Sequence, residues 1–420
     1  MHYTILRLKT AIIAFMNFTK HPFFNDILLA TFTAVNFSAF IYFEHYGLTC
    51  KIINSVTALV AYALLLHVRA RVILISGFMI GLFWFYWIGY SFEYYHVSYM
   101  IPIVIIGFGF VYALFFGVLA LTQKAWIRAI LLFGLSFVEP FDYNWMVLEL
   151  PFVESYFGVA KWQFALILVA LAFFLTCKQK WRYGAIILLL AAINFSTAQK
   201  AMPDLKIKLV SMDIPQELKW KPFMQNKINS FNFKAIDTAI KEGYDLVILP
   251  ESAFALFLNM HPDLVKILKE KSMHISIITG ALYYEKRNNY NVTYLFQDGK
   301  KSIAKKMTLV PFGEYIPLPK LIREYVNKTF FDGASDYISA DAPTDFIIKG
   351  VKFRNAICYE ATCEELYKGE PKYMIAISNN AWFMPSIEPT LQNLLMRYFA
   401  QRHATIIFHA ANAAGTAIVE

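Results

Sequence analysis

The pattern of hydrophobic and polar positions divides this 420-residue chain near residue 199. Before that point, nearly uncharged apolar runs follow one another at residues 27–43, 52–68, 72–90, 97–121, 125–138, 162–177 and 183–198. An α-helix needs about 20 apolar residues to cross the hydrocarbon core of a bilayer. The runs therefore predict a transmembrane helical domain over residues 21–198, with about seven helices. Residues 1–20 carry Arg7, Lys9 and Lys20 among apolar positions, which is typical of an interfacial N-terminal segment.

Basic residues between the apolar runs predict the orientation of the helices. Arg69 and Arg71 follow the second run, Lys124 precedes the fifth, and Lys178 follows the sixth, whereas the alternate loops are mainly acidic. Because positively charged loops stay in the cytoplasm, we expect a cytoplasmic N terminus and an extracytoplasmic second half. No cleavable signal peptide is expected. The chain ends soon after the last strand pattern, so no eighth crossing is expected either.

From residue 206 onward, short apolar runs alternate with amphipathic stretches. The runs "IKLVSM", "DLVILPE", "ISIITGALYY" and "YMIAISNNAWF" predict strands, and "DFIIKGVKFRNAICYE" predicts a hairpin that turns at Lys349-Gly350. Helical spacing predicts helices over 223–242, 263–271 and 389–404, before a final strand pair. Alternating strands and helices indicate one α/β domain over residues 199–420, with helices covering sheet.

Composition narrows the classes of function. The chain is 58% hydrophobic and only 16% charged, and its net charge of +9 is not gathered into a basic run. This distribution argues against nucleic-acid binding. Four scattered cysteines, with no CxxC and no HExxH motif, lead us to expect no metal centre, no disulfide framework and no cofactor.

Reactive residue types follow the predicted strands, where α/β folds gather their functional groups. Glu251 follows "LVILP", Cys358 follows "FRNAI", and Lys306 and Glu314 bracket a segment interrupted by proline and glycine. A lysine favours a thiolate and can hold an oxyanion, while a buried glutamate can accept a thiol proton. Carboxylates near Cys358 oppose the thiolate. Spacing alone therefore leaves open an inert thiol, a disulfide with Cys363, a metal ligand or a nucleophile.

Several motifs resemble those of one superfamily. "LVILPESA" with Glu251, "KKMTLVPFGEYIP" with Lys306 and Glu314, and "AICYE" with Cys358 resemble the Glu-Lys-Cys triad of the nitrilase, or carbon-nitrogen hydrolase, superfamily. "IPQELKW", "LVPFGEY", "CYE" and "SNNAWF" are similar to its membrane branch, the bacterial apolipoprotein N-acyltransferases. The resemblance implies a four-layer α-β-β-α sandwich for the second half. It also implies a multi-pass protein of the bacterial inner membrane with a periplasmic catalytic domain.

The resemblance implies a mechanism as well. Cys358 would be the nucleophile that takes a fatty acyl chain from a membrane phospholipid as a thioester. Glu251 would be the general base and acid, and Lys306 would stabilise the oxyanion. The acceptor would be the α-amino group of the diacylglyceryl-modified N-terminal cysteine of an apolipoprotein. Lipoprotein maturation is the process that this acyltransferase activity would serve.

Further residues receive roles from the same resemblance. Supporting roles beside the triad are implied for Glu314, Tyr359 and Glu360. Contacts with the lipid substrate, or with the loops that admit it, are implied for Trp220, Trp382 and Phe383. The chain departs from the usual family pattern at Asn380, Met384 and Ala414.

Two other functions remain open on the sequence alone. A membrane-anchored amidase would use an identical triad and release its acyl group to water. The second alternative is a transporter or structural membrane protein with an inactive second half. Ionisable residues within the apolar runs would favour transport, and the sequence has almost none there. We also predict that Cys363 is structural, and that residues 319–344, with Phe330 and Phe331, form a mobile lid facing the bilayer.

Overall fold

The structure is a computed structural model that describes residues 22–94, 97–177, 183–195, 200–311, 314 and 338–420. The predicted interfacial segment, the basic loop at 178–182, the predicted boundary at 198–199 and almost all of the predicted lid lie outside these residues. The described residues form two compact units. The first holds residues 22–89, 99–140 and 147–195, and the second holds 90–98, 141–146 and those from residue 200 onward.

Apolar helices make up the first unit. Within the described residues they are α1 (Pro22–His45), α2 (Lys51–His67), α3 (Ala70–Phe85), α4 (Ile101–Gly117), α5 (Ala125–Leu135), α6 (Lys161–Thr176) and α7 (Tyr183–Ala191). Each overlaps one of the seven apolar runs, so the predicted helical membrane-type domain is confirmed. Three stretches, Pro22–His45, Ala70–Glu93 and Ser98–Leu121, are long and apolar enough to cross a membrane. The other helices are shorter, and the number of crossings stays a prediction.

Two glycines allow α3 and α4 to approach closely. A Cβ atom on Gly77 would lie 2.6 Å from the backbone oxygen of Tyr112, and one on Gly81 would lie 2.6 Å from that of Phe108. Since water-driven apolar burial does not drive helix association inside a lipid bilayer, membrane helices depend on such small-residue contacts between their backbones. The spacing of Gly77 and Gly81 therefore explains how these two helices pack.

Buried charges in the first unit are paired with protein groups. The guanidinium of Arg128 is fully buried and donates to the backbone oxygens of Val68, Leu119 and Thr122 at 2.6, 3.0 and 2.8 Å. Val68 follows α2, so Arg128 satisfies a carbonyl at the negative end of a helix dipole. Such pairing is structural, and it gives no support to the transporter alternative.

Two β-sheets form the centre of the second unit. The first contains β1 (Ile207–Leu209), β2 (Leu246–Ile248), β3 (Phe254–Phe257), β4 (Ser276–Glu285), β5 (Asn288–Gln297) and β6 (Lys300–Lys305), in the order β1-β2-β4-β5-β6 with β3 paired to β4. The second contains β7 (Asp345–Ile348), β8 (Val351–Ile357), β9 (Tyr373–Asn379), β10 (Ile406–Asn412) and β11 (Ala417–Val419), in the order β11-β10-β9-β8-β7. In the first sheet β2 pairs in parallel with β1 and with β4. In the second sheet β9 pairs in parallel with β8 and with β10.

The two sheets pack face to face, and helices cover their outer faces. Ile248 and Ile278 of the first sheet share a buried apolar cluster with Ile375 and Phe408 of the second. The opposite face of the first sheet packs against α9 (Pro222–Lys241) and α10 (Pro262–Lys271), which follow the four-residue helix α8 (Gln216–Lys219). On the second sheet, His409 Nδ1 lies 3.1 Å from Asn393 Oδ1 of α11 (Glu388–His403). The order of layers is α-β-β-α, which confirms the predicted fold class.

The strand prediction was incomplete in one region. β3, β5 and β6 were not predicted, although Asp298-Gly299 is a recognisable turn signal between β5 and β6. β5 begins with three half-buried residues before its buried run 291–296, and β6 begins with two exposed lysines, so the start of neither strand is marked by an apolar run. β5 and β6 extend the first sheet to its edge. Lys306 directly follows β6 and belongs to the site described next.

Candidate active site

Cys358 lies where β8 ends and a short 3-10 turn, Cys358–Thr362, begins. Its backbone φ is +57°, a conformation that residues other than glycine adopt only at a cost. Strained positions between a strand and a turn present nucleophiles at the end of a sheet in other α/β enzymes. The partly buried thiol sulfur lies 3.8 Å from Gln392 Nε2 of α11. The strand end and the strained backbone therefore place the Cys358 thiol at the end of the sheet, where an incoming group could reach it.

The buried carboxylate of Glu360 holds this turn in place. One oxygen accepts the backbone N–H of Ile357 at 2.7 Å, and the other accepts the N–H groups of Met307 and Thr308 at 2.5 and 2.9 Å. Glu360 therefore ties the Cys358 turn to the residues that follow Lys306. Burial raises the pKa of Glu360 to about 7, against the opposing effects of Lys306 and the three N–H donors.

Glu251 follows Pro250 shortly after the end of β2, and its backbone lies against β4. A Cβ atom at Gly280 of β4 would lie 2.6 Å from the Glu251 Cα, so only glycine fits at that position. The side-chain amide of Asn291 in β5 donates to Glu251 Oε1 at 2.7 Å. The carboxylate is buried and has a fixed orientation.

Lys306 comes directly after β6 and is 1% exposed. Its Nζ forms an ion pair with Glu314 Oε2 at 2.7 Å, and the same oxygen accepts the backbone N–H of Val310 at 2.9 Å. The Lys306 N–H donates to the backbone oxygen of Asn291 at 2.9 Å, which aligns this residue beside the partner of Glu251. A buried lysine needs a carboxylate partner to remain charged, and Glu314 supplies it.

Charges in the site act on one another. Burial opposes the charged form of Lys306, but the negative charges of Glu314 and Glu251 outweigh it and raise the pKa of Lys306, which stays an ammonium. Burial and then the charge of Glu251 raise the pKa of Cys358, although Lys306 works in the opposite direction. Lys306 does favour the thiolate, as the sequence predicts, but burial and Glu251 have the larger effect on the pKa of Cys358. At rest the site holds a thiol, and a base must take its proton when it reacts.

Sequence reasoning missed the buried cation at Lys219, the last residue of α8. This side chain is fully buried, and its Nζ donates to the backbone oxygen of Glu251 at 3.0 Å. Burial lowers the pKa of Lys219 to about 7, with the charges of Glu251 and Cys358 opposing that shift. The motif "IPQELKW" contains this lysine, but nothing in a single sequence signals that the charge is buried. Glu388 and Gln392 of α11 were also missed, because a single sequence does not show which polar residues of a helix are buried.

Tyr359 is buried in an aromatic stack. Its ring lies parallel to those of Tyr143 and Trp145, at centroid distances of 6.0 and 6.3 Å. The indole N–H of Trp145 donates to Thr362 Oγ1 at 2.8 Å, and Asn144 Nδ2 donates to the Thr362 backbone oxygen at 2.6 Å. The segment 141–146 thus braces the turn that carries Cys358.

The three residues predicted to contact lipid lie near the surface. Trp220 is 39% exposed, and Trp382 and Phe383 are half-buried. Trp382 packs edge-on against Tyr94 at a centroid distance of 5.4 Å. Their role in substrate binding stays a prediction.

Cys363 is a buried core residue. Its thiol donates to the Tyr359 backbone oxygen at 3.4 Å, and neither Cys363 nor Cys358 forms a disulfide. The structure brings Glu251, Lys306 and Cys358 into one site and leaves Cys363 in the core.

Both halves of the chain match known protein families. Residues 24–195 match the family model of the apolipoprotein N-acyltransferase integral membrane domain, and residues 219–419 match that of the carbon-nitrogen hydrolases. The apolipoprotein N-acyltransferase of Wolinella succinogenes is 43% identical over 393 residues, which are 93% of this chain and 95% of that protein. The one from Helicobacter hepaticus is 39% identical over 82% of this chain and 87% of its own length.

Among solved structures, a CN-hydrolase superfamily protein from Xanthomonas campestris is similar, with 15% identity and a TM-score of 0.38, over 51% of this chain and 77% of that one. The two family models follow one another along the chain in the order of its two halves, and the curated relatives are similar over nearly its whole length. The chain belongs to the apolipoprotein N-acyltransferase family.

Proposed function

We propose that this protein transfers a fatty acyl chain from a membrane phospholipid to the α-amino group of the N-terminal diacylglyceryl-cysteine of apolipoproteins. The relatives named above are apolipoprotein N-acyltransferases, and an apolar helical unit joined to the catalytic unit suits a lipid donor. We further propose that it lies in the bacterial inner membrane, with the N terminus in the cytoplasm, as the basic loops predict, and the catalytic unit in the periplasm.

The first step forms a thioester. Glu251 accepts the thiol proton as Cys358 Sγ attacks the ester carbonyl of the phospholipid, and the carbonyl oxygen becomes an oxyanion beside the ammonium of Lys306. The C–O bond to the glycerol then breaks. Glu251 returns its proton to the departing oxygen, so that lysophospholipid leaves and the acyl chain stays on Cys358.

The second step discharges the thioester. The neutral amine of the acceptor attacks the thioester carbon, Lys306 again holds the oxyanion, and Glu251 accepts a proton from nitrogen. The C–S bond breaks and the sulfur regains that proton. The products are an amide and the resting thiol, so the enzyme follows a ping-pong course.

One observation carries this proposal. Lys306 is 1% exposed and paired with Glu314 at 2.7 Å, which keeps a positive charge next to Cys358 and Glu251 in a site that is largely shielded from solvent. A fixed cation of this kind is what two successive tetrahedral oxyanions require. Glu314 and Glu360 would serve as positioning residues, and Trp220, Trp382 and Phe383 would contact acyl chains.

A transfer assay tests the proposed function. Purified protein in detergent would receive phospholipid with a labelled acyl chain and a synthetic diacylated lipopeptide with a free N terminus. The proposal predicts labelled triacylated lipopeptide and no product from an N-acetylated control peptide. Release of the label only as free fatty acid would instead show that water is the acceptor of the acyl group, and it would contradict the proposed transfer.

Orientation needs a separate test. A reporter that is active only in the periplasm should be active when fused after Ala201 and inactive when fused after Arg71. The reverse pattern would place the catalytic unit in the cytoplasm and contradict the predicted topology.

A further inference from the structure

Glu388 is a buried acid that the mechanism above does not use. It is the first residue of α11 and is 1% exposed. Gln392 is four residues further along the helix, so both side chains lie on one face of its first turns. Because Gln392 Nε2 lies 3.8 Å from Cys358 Sγ, this helix face borders the reacting thiol.

The other acids of the site already have partners. Glu314 is paired with Lys306, Glu360 accepts three backbone N–H groups, and Glu251 accepts the Asn291 amide. Within the described part of the chain, Glu388 Oε2 is buried and has no hydrogen-bond partner. A buried polar atom left unpaired costs about 1–3 kcal/mol, and at a catalytic site such an atom points to a group that arrives with the substrate.

The charges of the site indicate which kind of group would fit. Four buried or partly buried acids (Glu251, Glu314, Glu360 and Glu388) accompany two buried lysines (Lys219 and Lys306). Burial and then the negative charge of Glu251 raise the pKa of Glu388, which favours the protonated form of its carboxyl at rest. An incoming cation would reverse that balance and favour the carboxylate. The reacting oxygens of a phospholipid ester carry no N–H group and no positive charge, whereas a protonated primary amine carries both.

We propose, on the basis of the function proposed above, that Glu388 and the Cys358 thioester form a subsite for the acceptor, in which Oε2 binds the primary amino group. The entering ammonium pairs with the carboxylate, and the proton that Glu388 carried at rest passes to solvent. Proton transfer from nitrogen to Oε2 then leaves a neutral carboxyl and a free amine. The amine lone pair attacks the thioester while Glu251 stays available for the next proton.

The two half-reactions separate this role from a structural one. Enzyme with labelled phospholipid and no acceptor reports thioester formation on Cys358. The isolated acyl-enzyme then receives the diacylated lipopeptide or, as a small nucleophile that needs no subsite, hydroxylamine. The variants are Glu388→Leu, which removes the acceptor atom, and Glu388→Gln, which keeps a carbonyl oxygen and the side-chain volume. Glu370→Gln, at an exposed acid of the same unit, is the matched control.

We expect both Glu388 variants to form the thioester within about threefold of the wild-type rate and to react normally with hydroxylamine. Transfer to lipopeptide should fall about 10- to 100-fold in Glu388→Leu, the loss of one hydrogen bond to a charged group, with a higher KM for lipopeptide and a smaller loss in Glu388→Gln. Wild-type transfer by Glu388→Leu would overturn the proposal. Equal slowing of both half-reactions would make Glu388 structural and also overturn it.

A second source of a primary amine must be separated from the acceptor. Phosphatidylethanolamine has one in its headgroup and phosphatidylglycerol has none, so thioester formation is measured with each donor. A defect of Glu388→Leu confined to thioester formation from phosphatidylethanolamine would assign the subsite to the donor headgroup and contradict our proposal. Absence of any thioester in the wild type would instead reject the proposed function itself.

Discussion

The interiors of the two units of this protein are built from different contacts. In the first, α3 and α4 approach through Gly77 and Gly81, and the fully buried Arg128 serves to satisfy helix-end carbonyls. In the second, Lys219, Lys306 and several acids are buried around one thiol. Burying charges costs free energy unless they are paired, so a cluster of them marks the unit in which chemistry takes place.

The largest effect should come from Lys306. Removing an oxyanion donor typically slows an enzyme by about 10²–10³-fold, and Lys306→Ala also leaves Glu314 as an unpaired acid. We expect thioester formation to slow by at least this factor, as measured by quenched incubation with labelled phospholipid. Lys305→Ala, at the neighbouring lysine that pairs with Glu285, is the control and should act normally. Equal rates in Lys306→Ala and wild type would show that the buried charge has no catalytic role.

Lys219 should give the next largest effect. Lys219→Met removes the donor to the Glu251 backbone oxygen and leaves that buried carbonyl unpaired, at a cost of about 1–3 kcal/mol. We expect thioester formation to slow by about 10- to 100-fold, with a lower melting temperature. Lys227→Met, at an exposed lysine of α9, serves as the control. Unchanged rate and melting temperature would remove Lys219 from the set of residues that position Glu251.

Substitutions at the contact between α3 and α4 test the role of close helix packing in the first unit. Gly77→Ala forces a Cβ atom against the Tyr112 backbone oxygen, and such overpacking typically costs about 1–3 kcal/mol. Gly107→Ala in α4 meets no atom within 4 Å and should be neutral or slightly stabilising. Thermal unfolding in detergent distinguishes the two variants. Similar melting temperatures for both would mean that this close approach does not stabilise the first unit.

Cys363 should give the smallest effect. Its thiol donates to the Tyr359 backbone oxygen, and a serine hydroxyl can make that same bond. Cys363→Ser should therefore retain transfer activity within about threefold, since a shortened but satisfied hydrogen bond costs little. Loss of activity as complete as in Cys358→Ala would give Cys363 a part in the chemistry.

Much of the fold could be predicted from the sequence because apolar runs report burial directly. The helices of the first unit and strands such as β8 and β9 follow such runs. β5 and β6 were missed because polar residues open both strands, and because their place in the sheet depends on pairing, of β5 with β4 and of β6 with β5. The burial of Lys219 and Glu388 could not be predicted, since charged residues are usually exposed and only tertiary packing reveals the exception.

The candidate site, too, could be predicted only in part from the sequence. The strand-end positions of Glu251 and Cys358 and the candidates Lys306 and Glu314 could be predicted from the pattern, and the resemblance to a known family assigned their separate roles. The two hydrogen-bonded links that set the geometry, Asn291 to Glu251 and Glu360 to the Cys358 turn, join residues 40 and 3 positions apart in sequence. The first of these is a long-range contact that no local pattern encodes.

The central claim is that Cys358 carries the acyl chain. The most direct measurement is mass spectrometry of the peptide containing Cys358, after incubation with phospholipid alone. We predict a fatty acyl adduct on Cys358 that hydroxylamine removes, that lipopeptide discharges to an amide, and that is absent in Cys358→Ala. Transfer by Cys358→Ala, or full wild-type transfer with no thioester at any time, would contradict the account.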